Sequence, residues 1–376
     1  MSTSIYFVLL LFWPLILSLF YYWTDLYVIN LCEIDSCPVC YGEDLCHRIE
    51  NKEFHLRMSS ILDFVYNFIS VKNVYFARFN DIDVVIKKLA HQSDLNRVNR
   101  KMIDTIDSDL TRVNFLVNTV KRDFQVCDSE SAQTFLEVIQ FKKSSHLDTL
   151  LSVNVEPLLM EVFHKNYGFP VPKVYGYCGR AVIVENCGET LNNFKNIDWY
   201  DRAYIAYEIL HAANLFVFEH EHFRLYLKDI SPDNIVVNEE TLEVCFVDLG
   251  HSILKRKSAS DDEIHISNAY EDGVYQFSKD SICEKDVSDH NVFSVCALLL
   301  SKYAPWPMMH GGLLHSAPEN LTRHQLFEQI RACEGRVQNR NLTHRIIHSF
   351  NIMKSIRSIL LPRNTSRYYK IWDYGN

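Results

Sequence analysis

The chain has 376 residues, of which 48% are hydrophobic and 23% are charged. This length and composition are sufficient for a sizeable core and exclude a disordered polar chain. The formal net charge of −9 argues against a general nucleic-acid-binding protein, because such proteins normally carry a basic excess. We therefore expect one two-lobed domain or two small domains, with no nucleic-acid partner.

The N-terminal segment is a candidate membrane anchor. Residues 5–23 contain no charged side chain, and the run is long enough to cross a bilayer as a helix. A buried core helix is the alternative, but the segment is apolar on all sides and lies at the terminus. Pro14 and the aromatic end of the run differ from a small-residue cleavage site, so we predict an uncleaved signal anchor rather than a cleaved signal peptide within residues 1–24.

Eleven cysteines suit an oxidising compartment. Four of them lie close together, and these are Cys32, Cys37, Cys40 and Cys46. A C-x2-C pair would also suit zinc in a cytosolic protein, but the second pair lacks the usual ligand spacing, so disulfides are favoured over a metal site. The four cysteines allow three pairings. Residues 25–60 are therefore predicted to form a Cys-rich lumenal segment.

Three sequons for N-glycosylation occur near the C-terminus, at Asn320, Asn341 and Asn364. Each alone is a weak signal, since such triplets also arise by chance. Together with the predicted anchor and the cysteine cluster, they place the rest of the chain in the lumen or outside the cell.

The next segment predicts a helix followed by a β-hairpin. Apolar residues at helical spacing over 61–70 predict the helix, and residues 74–79 and 84–89 predict two strands joined by the turn 80–83. Lys87 follows three apolar residues in the second strand, like the lysine that holds the ATP α and β phosphates in protein kinases. A strand lysine that only extends its ammonium into solvent is the common alternative.

The sequence around the lysine strand lacks a kinase phosphate loop before it and has a long polar segment after it. A glycine-rich phosphate loop should precede the lysine strand, yet there is no Gly between residues 43 and 167. Residues 91–135 are polar, and their acidic cluster lacks the Gly and the terminal Glu of an EF-hand loop. We therefore interpret residues 91–135 as a solvated insertion.

Residues 134–163 again predict helical structure, where a kinase carries the glutamate that pairs with the lysine. Glu156 is the candidate partner of Lys87, and Glu161 is the alternate. A plain surface glutamate is the other interpretation of each. Pro157 fits the first turn of such a helix, where the N–H that proline lacks is not needed.

Two more strands and a long helix lead to the central motif. Residues 170–178 and 180–185 predict the strands, and residues 186–191 predict the hinge between two lobes. Residues 198–219 predict an amphipathic helix that Asp198 caps.

The central motif combines Asp229, Asn234 and Asp248. Asp229 lies five residues before Asn234 in a Pro-containing loop, and two short apolar strands then lead to Asp248, Leu249 and Gly250. This order matches the kinase catalytic loop, H-R-D-L-x-x-x-N, and the metal-binding D-F-G. Asp229 is suited to accept or orient the proton of an attacking hydroxyl, and Asn234 and Asp248 are suited to hold Mg²⁺ or Mn²⁺ on the phosphates. Each half alone is a common turn sequence, but both halves in this order favour the kinase interpretation.

The motif departs from an active kinase in several places. Leu227 and Lys228 replace the His and Arg before the acid, and Leu249 replaces Phe. Because the usual Arg binds a phosphorylated activation loop, Lys228 indicates that this switch is absent or different. Residues 251–285 are the predicted equivalent of the activation loop, and no A-P-E sequence closes them.

The remaining chain is predicted to be mainly helical. A buried helix begins at Asp289, whose carboxylate is expected to brace the backbone of the catalytic loop. Helical material continues to about residue 361, and residues 362–376 are interpreted as a tail.

Several short sequences resemble those of the "deleted in autism" branch of the divergent protein kinase domain family, which is related to the FAM69 group. They are residues 71–77 (VKNVYFA), 177–180 (YCGR), 225–229 (LYLKD), 289–291 (DHN) and 311–315 (GGLLH). The resemblance extends from the cysteine cluster to about residue 335. It implies a kinase-like fold in a Golgi-resident or secreted protein, with disulfides in the cysteine cluster. By position, it also implies that the ATP, metal and catalytic residues are Lys87, Glu156, Asp229, Asn234 and Asp248.

These observations predict an α+β, two-lobed protein-kinase-like fold that follows an N-terminal transmembrane or signal segment and a Cys-rich stem. The predicted domains are residues 1–24, the Cys-rich segment 25–60, an N-lobe of 61–185, and a C-lobe of 186–376 with a C-terminal tail. The predicted function is phosphoryl transfer from ATP, with Mg²⁺ or Mn²⁺, to a secretory-pathway protein. A Golgi or lumenal type II membrane protein, or a secreted one, would carry it out. The alternative is a pseudokinase that acts as a secreted or membrane-tethered signalling ligand or scaffold for a cell-surface receptor.

Overall fold

The computed structural model describes residues 28–37, 39–57, 74–88, 109–118, 124–139, 144–258, 264–267, 278–335, 345–363 and 368. The predicted anchor at 5–23, the helix predicted at 61–70, and the sequons at Asn341 and Asn364 lie outside these residues. Among the described residues, no helix is both long enough and apolar enough to cross a membrane.

The described chain folds into two compact units. The first unit takes its residues from the ranges 1–107, 141–158 and 173–186, and the second from the ranges 108–140, 159–172 and 187–376. The last border, after residue 186, lies one residue from the predicted lobe boundary. The ranges 108–140 and 159–172 differ from the prediction, because the sequence assigned them to the N-lobe and the structure assigns them to the second unit.

Strands and helices are interspersed along the chain. In chain order, the strands are β1 (Phe54–Leu56), β2 (Val74–Phe79), β3 (Ile82–Lys88), β4 (Gln125–Val126), β5 (Val174–Cys178), β6 (Ala181–Glu185), β7 (Glu189–Thr190), β8 (Phe223–Leu227), β9 (Ile235–Val237), β10 (Val244–Phe246), β11 (Ser252–Arg256), β12 (Ile264–His265) and β13 (Val287–Ser288). The helices are α1 (Cys46–Glu50), α2 (Asp109–Asn118), α3 (Ser129–Val138), α4 (Ser144–Val153), α5 (Glu156–Val162), α6 (Trp199–Phe218), α7 (Lys279–Glu284), α8 (His290–Val295), α9 (Gln325–Cys333) and α10 (Arg345–Leu360).

The first unit contains an antiparallel sheet with the strand order β1-β2-β3-β6-β5. The predicted hairpin is confirmed as β2 and β3, but its turn consists of only Asn80 and Asp81, since Ile82 already pairs with Phe79. Both turn residues have positive φ, 47° and 63°, as two-residue hairpin turns require. Buried and exposed residues alternate along β2, so one face of the sheet is covered.

The Cys-rich segment provides that cover. Leu31, Ile49 and Phe54 belong to one buried cluster with side chains of β2, β3 and β6. β1 adds an edge strand to the sheet, and the ring of Phe54 stacks on that of Phe79 with 4.1 Å between centroids. The prediction of a stem is therefore corrected, because apolar residues on both sides of the cysteines pack this segment into the core of the first unit.

Disulfides are present as predicted, but only one of them lies within the cysteine cluster, whose pairing the sequence left open. Cys37 bonds Cys40, but Cys46 bonds Cys178 of β5, and Cys32 is a buried free thiol. Burial raises the pKa of the Cys32 thiol to about 12, so the thiol stays protonated. Pairing inside the cluster is thus wrong for Cys46, because the fold brings it to a partner 132 positions away. The other disulfides among the described residues are Cys127–Cys283, Cys187–Cys245 and Cys296–Cys333.

The turn at residues 177–180 (YCGR) is where the Cys-rich segment docks. Gly179 has a φ of 55°, and a Cβ at this position would lie 1.9 Å from the carbonyl oxygen of Cys32, so only glycine fits. The carbonyl of Gly179 accepts the N–H of Tyr41 at 2.8 Å, and the N–H of Arg180 donates to the carbonyl of Cys32 at 2.6 Å. The YCGR sequence therefore has a structural role in the first unit.

The second unit is built around α6. Asp198 caps this helix as predicted, since its carboxylate accepts the N–H of Tyr200 at 2.9 Å. The helix is not amphipathic, however, because fifteen of its twenty residues are buried. Helices α8 and α10 and strand β8 pack against it, and Asn214 of α6 donates to the hydroxyl of Ser349 in α10 at 3.1 Å.

Residues 109–118 and 124–135 contain regular structure where a solvated insertion was predicted. Helix α2, strand β4 and helix α3 bury Leu116, Val126 and Phe135, and β4 pairs in parallel with β11. The prediction is wrong for these residues because the polar residues between the buried ones make the segment look solvent-exposed in the sequence. β11 opens the segment 251–285, the predicted activation-loop equivalent, and lies in the centre of the sheet β4-β11-β8.

The predicted tail contributes a buried residue to the second unit. Tyr368 is buried, and its hydroxyl donates to Oδ1 of Asp201 in α6 at 2.7 Å. Its ring lies 5.1 Å from that of Tyr204. The interpretation of residues 362–376 as a tail is therefore wrong for Tyr368.

Candidate active site

Lys87 and Glu156 form an ion pair within the first unit. Lys87 lies near the end of β3, opposite Val74 of β2 and Val182 of β6. Its Nζ is 2.7 Å from Oε1 of Glu156, and the two side chains are 14% and 5% exposed. Because β3 is hydrogen-bonded on both sides, the lysine extends from a fixed strand. The structure thus brings two of the predicted site residues together.

Glu156 is the first residue of α5. Its backbone N–H donates to Oδ1 of Asn154 at 2.8 Å, and Pro157 occupies the second helical position, in the first turn as predicted. Glu161, the alternate partner, lies further along α5 and belongs to the second unit. The glutamate that pairs with Lys87 is therefore Glu156.

The loop between β8 and β9 carries Asp229 and Asn234. The hairpin predicted after it is confirmed, since β9 and β10 pair antiparallel with Val237 opposite Val244. Nδ2 of Asn234 donates to the backbone carbonyl of Asp229 at 3.2 Å, which holds the loop in shape. The carboxylate of Asp229 is exposed and makes no hydrogen bond or ion pair within the described part of the chain.

Asp248 follows β10 in a second loop that is bonded to the first. The N–H of Val247 donates to the carbonyl of Asn234 at 3.1 Å. Leu249, which replaces the kinase Phe, is fully buried, and its carbonyl accepts the hydroxyl of Ser252 at 2.8 Å. Asp248 is partly buried, and its carboxylate has no partner among the residues that the structure describes.

The open groups of these two loops are suited to a divalent cation. Carboxylate and amide oxygens are the hard ligands that Mg²⁺ and Mn²⁺ prefer. Asn234 uses its amide N–H for the loop, which leaves its Oδ1 open within the described ranges. The donor set of Asp248 and Asn234 therefore fits a metal bound to nucleotide phosphates, with Asp229 open to accept a proton.

Two buried residues that the sequence analysis missed hold the end of β8. Nε2 of His290 bonds the carbonyl of Leu227 at 2.9 Å. Asn291 accepts the N–H of Leu227 at 2.8 Å and donates to the carbonyl of Leu225 at 2.8 Å. The sequence DHN at 289–291 was the available signal, but nothing in it showed which residue makes these contacts.

Asp289 has a different role from the predicted one. Its carboxylate accepts the N–H of Ser267 at 2.8 Å and pairs with Arg345 of α10 at 2.8 Å, and both charged side chains are buried. Arg345 also donates to the carbonyl of Ser267. Asp289 therefore holds the backbone at Ser267, within the predicted activation-loop equivalent. Its neighbour His290 bonds the strand before the catalytic loop. Adjacent residues at a helix start point in different directions, which is why the prediction missed by one position.

Comparison with known proteins places these motifs in a family. The family model described as "Protein-kinase domain of FAM69" matches residues 148–336, just over half of the chain. The chain belongs to this family. The match includes Glu156, Asp229, Asn234 and Asp248, whereas Lys87 lies before it. Membership of the FAM69 family establishes the kinase-like character of the fold.

Similar proteins include two relatives named "Divergent protein kinase domain 2A", from Mus musculus and Homo sapiens. Each is 26% identical to this FAM69-family chain, and each comparison covers 79% of this chain and 81% of the relative. A solved structure titled "Structure of vaccinia related kinase 3" is similar with a TM-score of 0.37 and 10% identity, covering 84% of this chain and 89% of that chain. The roles assigned to the five site residues stay predictions.

Proposed function

We propose that this member of the FAM69 family binds ATP with Mg²⁺ or Mn²⁺ in the secretory pathway and transfers the γ-phosphoryl group to a protein substrate there. The observation that carries the proposal is the Lys87–Glu156 ion pair, with 2.7 Å between Nζ and Oε1. A buried ion pair contributes little net stability, because the desolvation of both charges offsets their attraction. Stability therefore does not explain the buried lysine, whereas the binding of nucleotide phosphates would, because the phosphates require a cation.

Each site residue has a distinct role in this proposal. Lys87 holds the α and β phosphates, and Glu156 fixes the position of Lys87. Asn234 and Asp248 hold the metal, which would supply positive charge to the phosphate oxygens. Asp229 orients the substrate hydroxyl and accepts its proton as the hydroxyl oxygen bonds to the γ-phosphorus and the bond from that phosphorus to the bridging oxygen breaks, which releases ADP.

Three features support a lumenal location for this chemistry. Five disulfides link described residues, and disulfides persist mainly in oxidising compartments. Asn320 of the first sequon is exposed, and residues 5–23 have the composition of an anchor. We propose a Golgi or other lumenal type II membrane protein of the "deleted in autism" branch, or a secreted protein if the N-terminal segment is cleaved.

The proposal is tested with the variant Asp229→Asn. Loss of the proton acceptor is expected to lower phosphate incorporation from γ-labelled ATP into secretory-pathway proteins by about 100-fold or more. Asp233→Asn is the matched control, because Asp233 is exposed in the same loop and contacts Asn192 at 2.6 Å. Incorporation by the wild-type protein that does not exceed that of Asp229→Asn, with either metal, would rule out phosphoryl transfer.

A pseudokinase that acts as a secreted or membrane-tethered ligand or scaffold is the second candidate function. The absence of Gly between residues 43 and 167 and the replacement of the His and Arg by Leu227 and Lys228 favour it. Receptor activation by the wild-type chain and by Asp229→Asn to the same extent would select this function. Loss of signalling in Asp229→Asn, with Asp233→Asn unaffected, would select phosphoryl transfer.

A further inference from the structure

The end of β3 is held by ion pairs on both faces of the sheet. Lys87 and Lys88 point to opposite faces, because successive residues of a strand alternate. Lys87 pairs with Glu156 on one face, and Lys88 pairs with Glu33 of the Cys-rich segment on the other. Both lysines lie in the register that pairs β3 with β6, at the last positions of the strand.

Glu33 joins two cations. Its Oε1 bonds Nζ of Lys88, and its Oε2 is 3.2 Å from Nη1 of Arg180 in the turn between β5 and β6. Arg180 is 3% exposed, and its Nε donates to the carbonyl of Val39 at 3.3 Å. Without the carboxylate, Lys88 and the buried Arg180 would repel each other. Glu33 therefore offsets the repulsion between the two cations and connects the end of β3 to this turn.

The backbone that carries Glu33 is itself anchored. Glu33 has a φ of 47°, and the carbonyl of the preceding Cys32 accepts the N–H of Arg180 at 2.6 Å. The disulfide between Cys46 and Cys178 attaches the same segment to β5. A carboxylate on a fixed backbone restricts the ammonium that it binds.

We propose that Glu33 is a positioning residue for Lys87. Through Lys88, it fixes the end of β3, so that Nζ of Lys87 stays on Glu156 and is oriented toward nucleotide phosphates. The nucleotide part of this role rests on the proposed function, whereas the effect of Glu33 on Lys87 does not. The Cys-rich segment is then part of the apparatus that presents the lysine.

The test measures how fast acetic anhydride acetylates Lys87 in the disulfide-bonded full chain, by peptide mass spectrometry, relative to the exposed Lys302. Glu33→Gln removes the charge with little change in volume. We expect it to speed acetylation of Lys87 by about fivefold or more, because local opening of the strand end exposes the amine. Glu53→Gln is the matched control, since Glu53 lies in the same segment but pairs with Arg48 at 2.6 Å, and it is expected to leave the rate unchanged.

Lys88→Gln tests the same link if Glu33→Gln does not fold, because it keeps the pair between Glu33 and Arg180. It is expected to speed acetylation of Lys87 in the same way. Equal Lys87 rates in Lys88→Gln and the wild type would overturn the proposal. An equal increase at Lys87 and at the buried Lys255, both relative to Lys302, would also overturn it, because that result indicates general unfolding.

A nucleotide titration of the same proteins separates this inference from the proposed function. We expect Glu33→Gln to bind ATP with Mg²⁺ about tenfold more weakly than the wild type, because Lys87 is misplaced. Without nucleotide, it is expected to melt below Glu53→Gln, because the buried Arg180 loses its counter-charge, so the affinities are compared at a temperature at which both variants are folded. A wild-type chain that binds no nucleotide would reject the proposed function, and the acetylation rates would still decide whether Glu33 positions Lys87.

Discussion

His220 lies just after α6, where its burial disfavours the protonated form. Its Nδ1 accepts the backbone N–H groups of His222 and Phe223 at 3.0 and 3.2 Å, and its ring lies 4.7 Å from that of Phe163. Burial lowers the pKa of His220 from 6.5 to about 4. Four weaker effects partly cancel. The Val162 carbonyl and Glu221 raise the pKa, and His222 and Lys257 lower it. A proton on Nδ1 would also break both backbone hydrogen bonds, so His220 is neutral in the folded protein near neutral pH.

We predict that the free energy of unfolding decreases as the pH falls from about 6.5 to about 4. In this window the unfolded chain binds the proton and the folded chain does not. The contribution of His220 to the free energy of unfolding is therefore fully present above the unfolded pKa of 6.5 and is lost as the pH falls to the folded pKa of about 4. A pKa lowered from 6.5 to about 4 corresponds to about 3 kcal/mol, and we expect a contribution of about 2 kcal/mol because the ring is partly exposed to solvent. Denaturant unfolding at several pH values measures it, with His220→Gln and the exposed-site control His222→Gln. A pH dependence that is identical in His220→Gln and the wild type would contradict this prediction.

The sequence indicates which residues stand at motif positions, but not which side chains those residues contact. Lys87, Asp229 and Asp248 stand at motif spacings, from which their roles are predicted. The choice of Glu156 over the alternate depended on where α5 begins, which no motif fixes. Glu33 was not identified, because its contacts with Lys88 and Arg180 span 55 and 147 positions of the chain.

At the scale of elements, one long-range disulfide attaches the Cys-rich segment to the sheet, and one local disulfide lies within the segment. Cys46 and Cys178 are separated by 132 positions, whereas Cys37 and Cys40 are separated by 3. A disulfide that closes a longer loop removes more conformational freedom from the unfolded chain. The first disulfide therefore contributes more to the stability of the folded unit.

We predict that replacing Cys46 and Cys178 together with Ser lowers the free energy of unfolding by about 5 kcal/mol, and that replacing Cys37 and Cys40 together lowers it by about 2 kcal/mol. Non-reducing denaturant titrations of the two double variants and the wild type provide the comparison. Losses of equal size would show that Cys46–Cys178 is not the principal attachment of the segment.

Element prediction succeeded where the pattern is local and failed where pairing is distant. The hairpins β2–β3 and β9–β10 show apolar strands around short polar turns, and α6 begins at a capping Asp198. β4 and β11 were missed because each becomes a strand by pairing with a segment far away in the sequence. Residues 28–57 were separated from the core for the same reason, since their partners lie in β3 and in the turn at 177–180.

At the scale of the whole molecule, the predicted site residues are distributed over the two units. The first unit contains Lys87 and Glu156, and the second contains Asp229, Asn234 and Asp248. The net charge of −9 repels a polyphosphate at long range, so binding must depend on local cations. Lys87 is one such cation, and a divalent metal on Asn234 and Asp248 supplies the others. ATP binding is therefore expected to require the metal.

The most direct test of the central claim is the melting temperature of the full chain with ATP and either Mg²⁺ or Mn²⁺. ATP at about 100 times its Kd stabilises the folded state by about 2.7 kcal/mol, which raises the melting temperature of a chain of this length by about 3 °C. We predict this increase for the wild type and for the control Asp233→Asn, and its loss in Lys87→Met, in Asp248→Asn, and without metal. A wild-type chain that does not shift with either metal, or an Asp248→Asn variant that shifts as much as the wild type, would contradict the account.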